Sequence, residues 1–328
     1  MEYKERDLED LKAKIRNYRY DDFNLDSLIE TKEKKGLKVG VAIPVKNEEE
    51  TLATLIDDIR YKCNGLVDTI AVFDSGSTDK SELICYERNV PFIKDVDAAN
   101  ELGIRKIDWK SGKGMNLWAS THYLKDHDII SWIDADLSLK PEFIYGIVGP
   151  MIEEDNIVFS KGRYYRPETD NRVTRILAEP LMSALFPETR DFADPLCGIY
   201  GGRTEFLREI PFTTGYSVEV ATLIHSLNKT NSENIAQVYI GGLKNREHDN
   251  RYLGKMSGSI SFSLLKLAEQ YGTLKLSDKV SANIIQQITQ DGIEFEFVKE
   301  DIEDLFLPAM KTTEKKAKLE QLALVVGY

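Results

Sequence analysis

The chain has 328 residues, with 43 Lys+Arg against 55 Asp+Glu, a formal net charge of −12. That balance excludes a nucleic-acid surface as the main design, because backbone phosphates demand a basic footprint. With 42% apolar residues the chain can bury a sizeable core, as one large domain with additions or as two domains.

The first residues, Met1-Glu2-Tyr3-Lys4-Glu5-Arg6, lack the apolar run of a secretion signal. Residues 1–36 are charged, with Leu8, Leu11, Ile15 and Tyr18 at helical spacing. They read as a helical arm that stops at Lys34-Lys35-Gly36. Val39-Gly40-Val41-Ala42-Ile43-Pro44-Val45 reads as a buried strand. Residues 49–62 read as a helix with Leu52, Leu55, Ile56 and Ile59 on one face. A second strand is predicted at 69–73. Asp74-Ser75-Gly76-Ser77-Thr78-Asp79 then turns into a helix, with Thr78 as its N-cap. A short strand is expected at 90–93, and Gly112-Lys113-Gly114 opens a helix whose Met115, Trp118, Ala119 and His122 share a face. Ile129-Ile130-Ser131-Trp132-Ile133 is another buried strand, ending in Asp134-Ala135-Asp136. This alternation predicts an α/β fold, a mainly parallel sheet flanked by helices.

After Pro150 the rhythm loosens. Strands are expected at 157–164 and 235–240, and helices at 172–185, broken near Pro180, and at 218–227. From Ser257 onward the chain reads mostly as helices, a C-terminal helical extension. It contains no internal repeat and no run near the ~18 apolar residues of a membrane span. The stretch 143–152 is apolar but short, and is interrupted by Gly146, Gly149 and Pro150. Cys63, Cys85 and Cys197 lie far apart without metal-ligand spacing, as expected of reduced thiols in a cytoplasmic protein.

Four short motifs carry possible chemistry, and each has a plain reading. Pro44-Val45-Lys46-Asn47-Glu48-Glu49-Glu50 can be a strand exit with an acidic helix start. Asp74 to Asp79 can be a capped turn, Lys113 a solvated loop lysine, and Asp134-Ala135-Asp136 another capped turn. Together they fall in order, each at a strand exit or helix start, on one edge of the predicted sheet. Ligands gather at that edge in open α/β sheets. Two carboxylates one residue apart make a hard, oxygen-rich site for a divalent cation, which can in turn hold a diphosphate.

On Ala42-Ile43-Pro44-Val45-Lys46-Asn47-Glu48, Asp74 to Asp79 and Asp134-Ala135-Asp136 the chain resembles a GT-A glycosyltransferase. Downstream the resemblance narrows to the glucosyl-3-phosphoglycerate synthases. It rests there on Gly162-Arg163-Tyr164-Tyr165-Arg166-Pro167, Arg172-Val173-Thr174, Pro195-Leu196-Cys197-Gly198, Gly215-Tyr216-Ser217-Val218-Glu219 and Arg246-Glu247-His248-Asp249-Asn250. It spans about residues 38–260.

The resemblance implies a GT-A (Rossmann-like) fold with a mixed, mainly parallel sheet. It implies a Mg²⁺- or Mn²⁺-dependent, retaining transfer of glucose from UDP- or GDP-glucose to the 2-hydroxyl of 3-phospho-D-glycerate. The nucleotide-sugar donor and the 3-phosphoglycerate acceptor would then be its partners. Residues 37–150 would form the nucleotide-sugar half and 151–256 the acceptor half, with 257–328 as the helical extension. By position, Ala42, Pro44, Glu48 and Ser75 would hold the uridine, and Lys113 would lie along the diphosphate or near the uracil. Asp136 would bind the metal, Asp134 the ribose or a metal-bound water, and His248 would complete the protein contacts to the metal. Arg172, Thr174, Arg246 and Asn250 would bind the acceptor phosphate and carboxylate, with Tyr216 and Glu219 facing the sugar and the acceptor hydroxyl. Asp136, Glu219 and Lys113 would be the catalytic set.

Physical chemistry agrees with those roles. A nucleoside diphosphate leaves only once its charge is neutralised, which a divalent cation does as a Lewis acid. Imidazole beside carboxylate suits Mn²⁺ and tolerates Mg²⁺. A trianionic acceptor needs guanidinium forks, which Arg172 and Arg246 supply. With no enzymic nucleophile in evidence, same-face attack by the acceptor hydroxyl is the expected route, driven by positioning and charge stabilisation.

Plain readings remain beside these: His248 in a surface loop, Arg172 solvated, Tyr216 packing, Glu219 an exposed helix carboxylate. Two departures border the acceptor site. Ser217 stands where the family has Gly, and Cys197-Gly198-Ile199 where it has a small residue, Gly and Glu. Competing readings are mannosyl transfer from GDP-mannose or another acceptor, a sugar nucleotidyltransferase, and a binding module without catalysis. The second lacks its Gly-rich, Arg-containing loop here, since Pro44-Val45-Lys46-Asn47-Glu48 stands in that place. The C-terminal extension fits either a homodimer interface or a solvated tail.

Overall fold

The computed structural model describes residues 15–105, 109–136, 140, 142–165, 171–242, 249–290 and 294–326, with only the backbone described at 287–290, 294–296 and 319–326. Twelve strands occur among them in chain order: β1 (Arg16–Arg19), β2 (Val39–Val45), β3 (Thr69–Asp74), β4 (Phe92–Lys94), β5 (Ile129–Trp132), β6 (Phe159–Tyr165), β7 (Tyr200–Arg203), β8 (Phe212–Thr213), β9 (Ile235–Gly242), β10 (Asn283–Gln290), β11 (Glu294–Asp301) and β12 (Phe306–Leu307). Eight form one sheet in the order β1-β9-β6-β7-β5-β2-β3-β4. Only β7 runs against its neighbours, β5 and β6; the remaining pairs in this sheet are parallel.

Every residue of β2 is buried, as its unbroken apolar run predicts for a strand covered on both faces. Its side chains alternate between two cores. Val39, Val41, Ile43 and Val45 pack with Leu52, Leu55, Ile56 and Ile59 of helix Leu52–Lys62 and with Ile144, Val148 and Met151 of helix Phe143–Glu153. Ala42 faces the other core, with Met115, Trp118 and Ala119 of helix Lys113–Tyr123 and Val220, Leu223 and Ile224 of helix Val218–Lys229. Helix Phe143–Glu153 runs through both glycines and Pro150 of its apolar stretch. The glycines make room for the N-terminal segment. A Cβ at Gly146 would lie 2.8 Å from Tyr20 Cα, and one at Gly149 2.5 Å from the Phe23 ring.

Three expectations need correction. Arg16–Arg19 is a strand rather than part of a helical arm, although helix Leu25–Lys35 does stop at Gly36, in the left-handed region at φ 66°. Leu8 and Leu11 lie outside the described residues. The open edge of β9 captures Arg16–Arg19, and sheet pairing overrides the weak helical pattern. The C-terminal region is not mostly helical. Between helices Asn250–Gln270 and Met310–Val326 lies the antiparallel hairpin β10–β11. Its signal was Asp291-Gly292 between β-branched and aromatic runs. Finally, Thr78 does not cap the helix Ser81–Glu87; Asp79 Oδ1 accepts from Ser81 N at 3.0 Å. The expected break near Pro180 appears as a π-helical turn, Val173–Ala178, running into helix Glu179–Leu185. Among the described residues, no helix is long and apolar enough to cross a membrane.

One buried group ties stability to pH. His225, on helix Val218–Lys229, is 2% exposed, with Nδ1 2.6 Å from the Tyr271 hydroxyl. Burial pushes its imidazole down to about 4. The unfolded chain therefore takes up this proton first, and stability falls as pH drops from about 6.5 toward 4. Between pH 6.5 and 5 the loss is up to about 2 kcal/mol. Thermal denaturation at both pH values checks it: His225→Gln is expected to show a smaller acid loss than the unmodified chain, and an equal loss refutes the assignment.

Candidate active site

The carboxyl ends of β2, β3 and β5 deliver the expected motifs to one edge of the sheet. The loop after β2 and the loop after β3 hold each other. Asn47 N donates to Ser77 Oγ at 2.8 Å, Thr78 N to Asn47 Oδ1 at 2.8 Å, Glu49 N to Asp79 Oδ2 at 2.9 Å and Lys80 N to Glu49 Oε2 at 3.0 Å. Asn47 sits in the left-handed region at φ 58°, which a short amide side chain tolerates. Asp74 folds its own turn by accepting from Gly76 N and Ser77 N, both at 3.0 Å. Ser75 is held from behind by Asn116, whose Nδ2 donates to Ser75 Oγ at 2.7 Å and to Phe73 O at 2.8 Å. Asn116 is 1% exposed and its Oδ1 has no hydrogen-bond partner among the described residues. Ala42 and Pro44 are buried within β2, and Ala42 O accepts from Ile133 N at 3.3 Å.

Lys113 is the centre of the site. Its Nζ lies 2.5 Å from Asp134 Oδ1 and 2.5 Å from Glu219 Oε1. Burial alone would depress this ammonium, but Asp134 and Glu219 outweigh it and hold Lys113 well above its ordinary value. Its flanking glycines serve close approach rather than flexibility. A Cβ at Gly114 would overlap Thr213 O, and one at Gly112 would lie 2.7 Å from Thr214 O. The helix start therefore presses against the segment that leads to Glu219, and Met115 N donates to Thr214 O at 3.2 Å. Glu219 is 4% exposed, which overturns its plain reading as an exposed helix carboxylate.

Gly198 closes the other side. A Cβ there would overlap Asp134 Oδ2 and approach Lys113 Nζ to 2.7 Å. The Pro195 to Gly198 motif thus abuts Asp134 and Lys113. Beneath it, the fully buried Lys161 donates to Cys197 O at 2.7 Å and lies 4.3 Å from the Tyr200 ring centroid. Burial pushes the Lys161 ammonium below its ordinary value.

Arg172 Nη1 donates to Asn250 Oδ1 at 2.8 Å, so two of the residues expected to bind the acceptor meet. Thr174 lies in the adjoining π-helical turn and is 2% exposed. Tyr252 OH donates to Tyr216 OH at 2.7 Å. Burial, the Tyr216 bond and the nearby charge of Asp136 all raise Tyr252 above its ordinary value. Asp136 and Asp134 are partly exposed. Arg246 and His248 lie outside the described residues. Asn116, Lys161 and Tyr252 carried no motif that sequence reasoning could use.

The sequence profile described as glycosyl transferase family 2 matches residues 40–210. A glucosyl-3-phosphoglycerate synthase of Petrotoga mobilis is 38% identical over 274 residues, 79% of this chain and 82% of that protein. One from Mycolicibacterium smegmatis is 34% identical, covering 71% of this chain and 78% of that protein. The crystal structure of glucosyl-3-phosphoglycerate synthase from Mycobacterium tuberculosis with Mn²⁺, UDP and phosphoglyceric acid superposes with a TM-score of 0.77 at 31% identity, covering 88% of this chain and 95% of that one. Mannosyl-3-phosphoglycerate synthase from Rubrobacter xylanophilus superposes with a TM-score of 0.81 at 27% identity, covering 90% and 95%. The fold is the expected GT-A fold. A profile over more than half the chain, and relatives this similar over most of their length, make the chain a glycosyltransferase that belongs to the glucosyl-3-phosphoglycerate synthase family.

Proposed function

We propose that this enzyme moves glucose, with retention, from a nucleotide sugar, UDP-glucose first, to the 2-hydroxyl of 3-phospho-D-glycerate. The observation that carries the reading is Lys113 lodged between Asp134 and Glu219, at the sheet edge where ligands gather in open α/β folds. The relatives' names and the Mycobacterium tuberculosis complex with UDP-glucose, Mn²⁺ and phosphoglyceric acid support the donor and acceptor.

Among the described residues no group of three or more His, Cys, Asp and Glu side chains is placed to hold a metal. The pair Asp134 and Asp136 offers hard oxygen donors, which fit Mg²⁺ or Mn²⁺. We assign them that ion, with His248 as a further ligand. Bound there, it would supply Lewis-acid neutralisation of the leaving diphosphate. The chain's own residues do the rest. Ser75 and Asn116 hold the base end of the nucleotide. Lys113 sets a positive charge against the diphosphate in a partly buried site, where it counts for more than in water. Glu219 and Tyr216 orient the sugar and the attacking hydroxyl. Arg172, steadied by Asn250, and Arg246 fork onto the acceptor's phosphate and carboxylate. The hydroxyl's proton passes to the departing phosphate oxygen on the same face.

A panel of UDP- and GDP-sugars against 3-phosphoglycerate and other hydroxy acids tests this. UDP-glucose with 3-phosphoglycerate is expected to give the highest kcat/KM, EDTA to stop it, and Mg²⁺ or Mn²⁺ to restore it. Arg246→Ala is expected to raise the acceptor KM far more than the donor KM; the reverse would overturn the acceptor assignment. A second reading, mannosyl transfer from GDP-mannose, is favoured by the mannosyl-3-phosphoglycerate synthase likeness, and the same panel decides it. A cytoplasmic homodimer belongs to the proposal too. Three buried cysteines outside any disulfide support the compartment, and exposed Ile285 and Phe297 on the hairpin support the dimer.

A further inference from the structure

The segment after the β10–β11 hairpin reaches back into the site from the far end of the chain. Lys110 Nζ donates to Asp301 Oδ2 and Glu303 O, both at 2.9 Å. β12 pairs with β8 through Phe306–Thr213 and Leu307–Phe212. Thr214 N donates to Leu305 O at 3.0 Å, and Leu305 N to Thr214 Oγ1 at 3.0 Å. At the centre of these contacts stands Asp304. Its Oδ2 accepts from Ser217 N at 3.1 Å and from Ser217 Oγ at 2.6 Å, and Ser217 is fully buried. A carboxylate only accepts, so Ser217 Oγ spends its proton on Asp304 and accepts in turn from Thr213 Oγ1 at 2.8 Å. Gly215 lies against the same carboxylate, and a Cβ there would overlap Asp304 Oδ1.

The loop from Thr213 to Ser217 is therefore clamped from two sides. Gly112 and Gly114 press on it from the Lys113 helix, and Asp304 holds it from the other side. Ser217 is the N-cap of helix Val218–Lys229, and Glu219 sits in that helix's first turn. Holding Ser217 fixes where the helix begins, and thus where Glu219 meets Lys113. It also accounts for serine at a position where glycine was expected: the hydroxyl adds a second bond to the latch.

We infer that Asp304 is a positioning residue for transfer, a latch that sets Glu219 against Lys113 through Ser217. The inference rests on the transfer reading above only in its kinetic arm. Misplacing a catalytic group by about 1 Å can cost roughly a hundredfold. Asp304→Ala is accordingly expected to lower kcat about a hundredfold with donor and acceptor KM changed less than about threefold. Asp304→Asn, which keeps an acceptor oxygen, is expected to recover part of that loss. Ser217→Gly keeps the main-chain N–H and loses less than Asp304→Ala, and adding it to Asp304→Ala costs nothing further.

Hydrogen exchange gives the second arm, independent of turnover. In Asp304→Ala, amides 214–221 are expected to exchange about tenfold faster or more, with β2 and β5 unchanged. Unchanged exchange overturns the latch whatever the kinetics show. Faster exchange with kcat within twofold of the unmodified chain overturns the positioning role. An unmodified chain that transfers no sugar defeats the transfer reading instead, and the exchange comparison still decides the latch.

Discussion

Asp136→Ala is expected to abolish metal-dependent turnover, a loss of at least about a thousandfold in kcat, while leaving the fold intact. The carboxylate is partly exposed and follows β5 at the sheet edge, so its removal opens no core cavity. Surface changes of that kind stay within about 0.5 kcal/mol of the parent stability. Chemistry is another matter. An oxygen ligand lost from a divalent site weakens the ion and, with it, the neutralisation of the leaving diphosphate. Asp136→Asn keeps the shape but halves the formal charge the pair brings, and is expected to respond to Mn²⁺ only at higher concentration. Turnover across a Mn²⁺ titration, read beside thermal denaturation, is the measurement. Unchanged turnover would remove Asp136 from the site.

The meeting of these motifs at one sheet edge was legible because its parts are local. Strand exits after β2, β3 and β5 follow from apolar runs punctuated by turn residues, and parallel topology sends all three to the same edge. Asp134, Lys113 and Ser75 could be named from that only together with a family resemblance. What escaped was non-local. Nothing in the sequence around Asn116 announces that its amide holds Ser75, because the contact joins a helix interior to a distant loop. Lys161 reads as one more charge, yet it is fully buried under Cys197. Arg16–Arg19 becomes a strand only because β9 offers an open edge. Asp304 sits in a stretch without motif, and its meaning appears only when Ser217 is seen beside it. Glu219 was named from resemblance. Its burial, which makes it an effective partner for Lys113, comes from packing of the whole helix Val218–Lys229.

Lys113→Met is expected to reduce kcat by about 10²–10³, the usual cost of deleting one preorganised charge from a transition-state site. It also carries a stability signature that a purely kinetic role would not. The ammonium stands 2.5 Å from each of two carboxylates, with side-chain exposures of 20% for Lys113, 23% for Asp134 and 6% for Glu219. Methionine fills similar space but leaves those carboxylates facing one another without a cation. One of them then favours its protonated form, so its folded-state pKa rises above the unfolded value of about 4.3. A carboxyl raised in this way contributes stability at low pH and loses it as pH climbs through the raised value. Lys113→Met should therefore be destabilised against the parent more at pH 8 than at pH 5. In the parent, Lys113 is held above its ordinary value, so its ion pairs persist through neutrality and weaken only above pH about 10. Arginine is not a substitute. A guanidinium is broader than an ammonium, and even the absent Cβ of Gly198 would fall 2.7 Å from Lys113 Nζ, leaving no room for the fork. Lys113→Arg is thus expected to remain at least tenfold below the parent in kcat. Paired denaturation curves at the two pH values, with initial rates at saturating donor, decide the matter. A Lys113→Met enzyme within threefold of parental kcat, with pH-independent destabilisation, would move the catalytic charge away from this lysine.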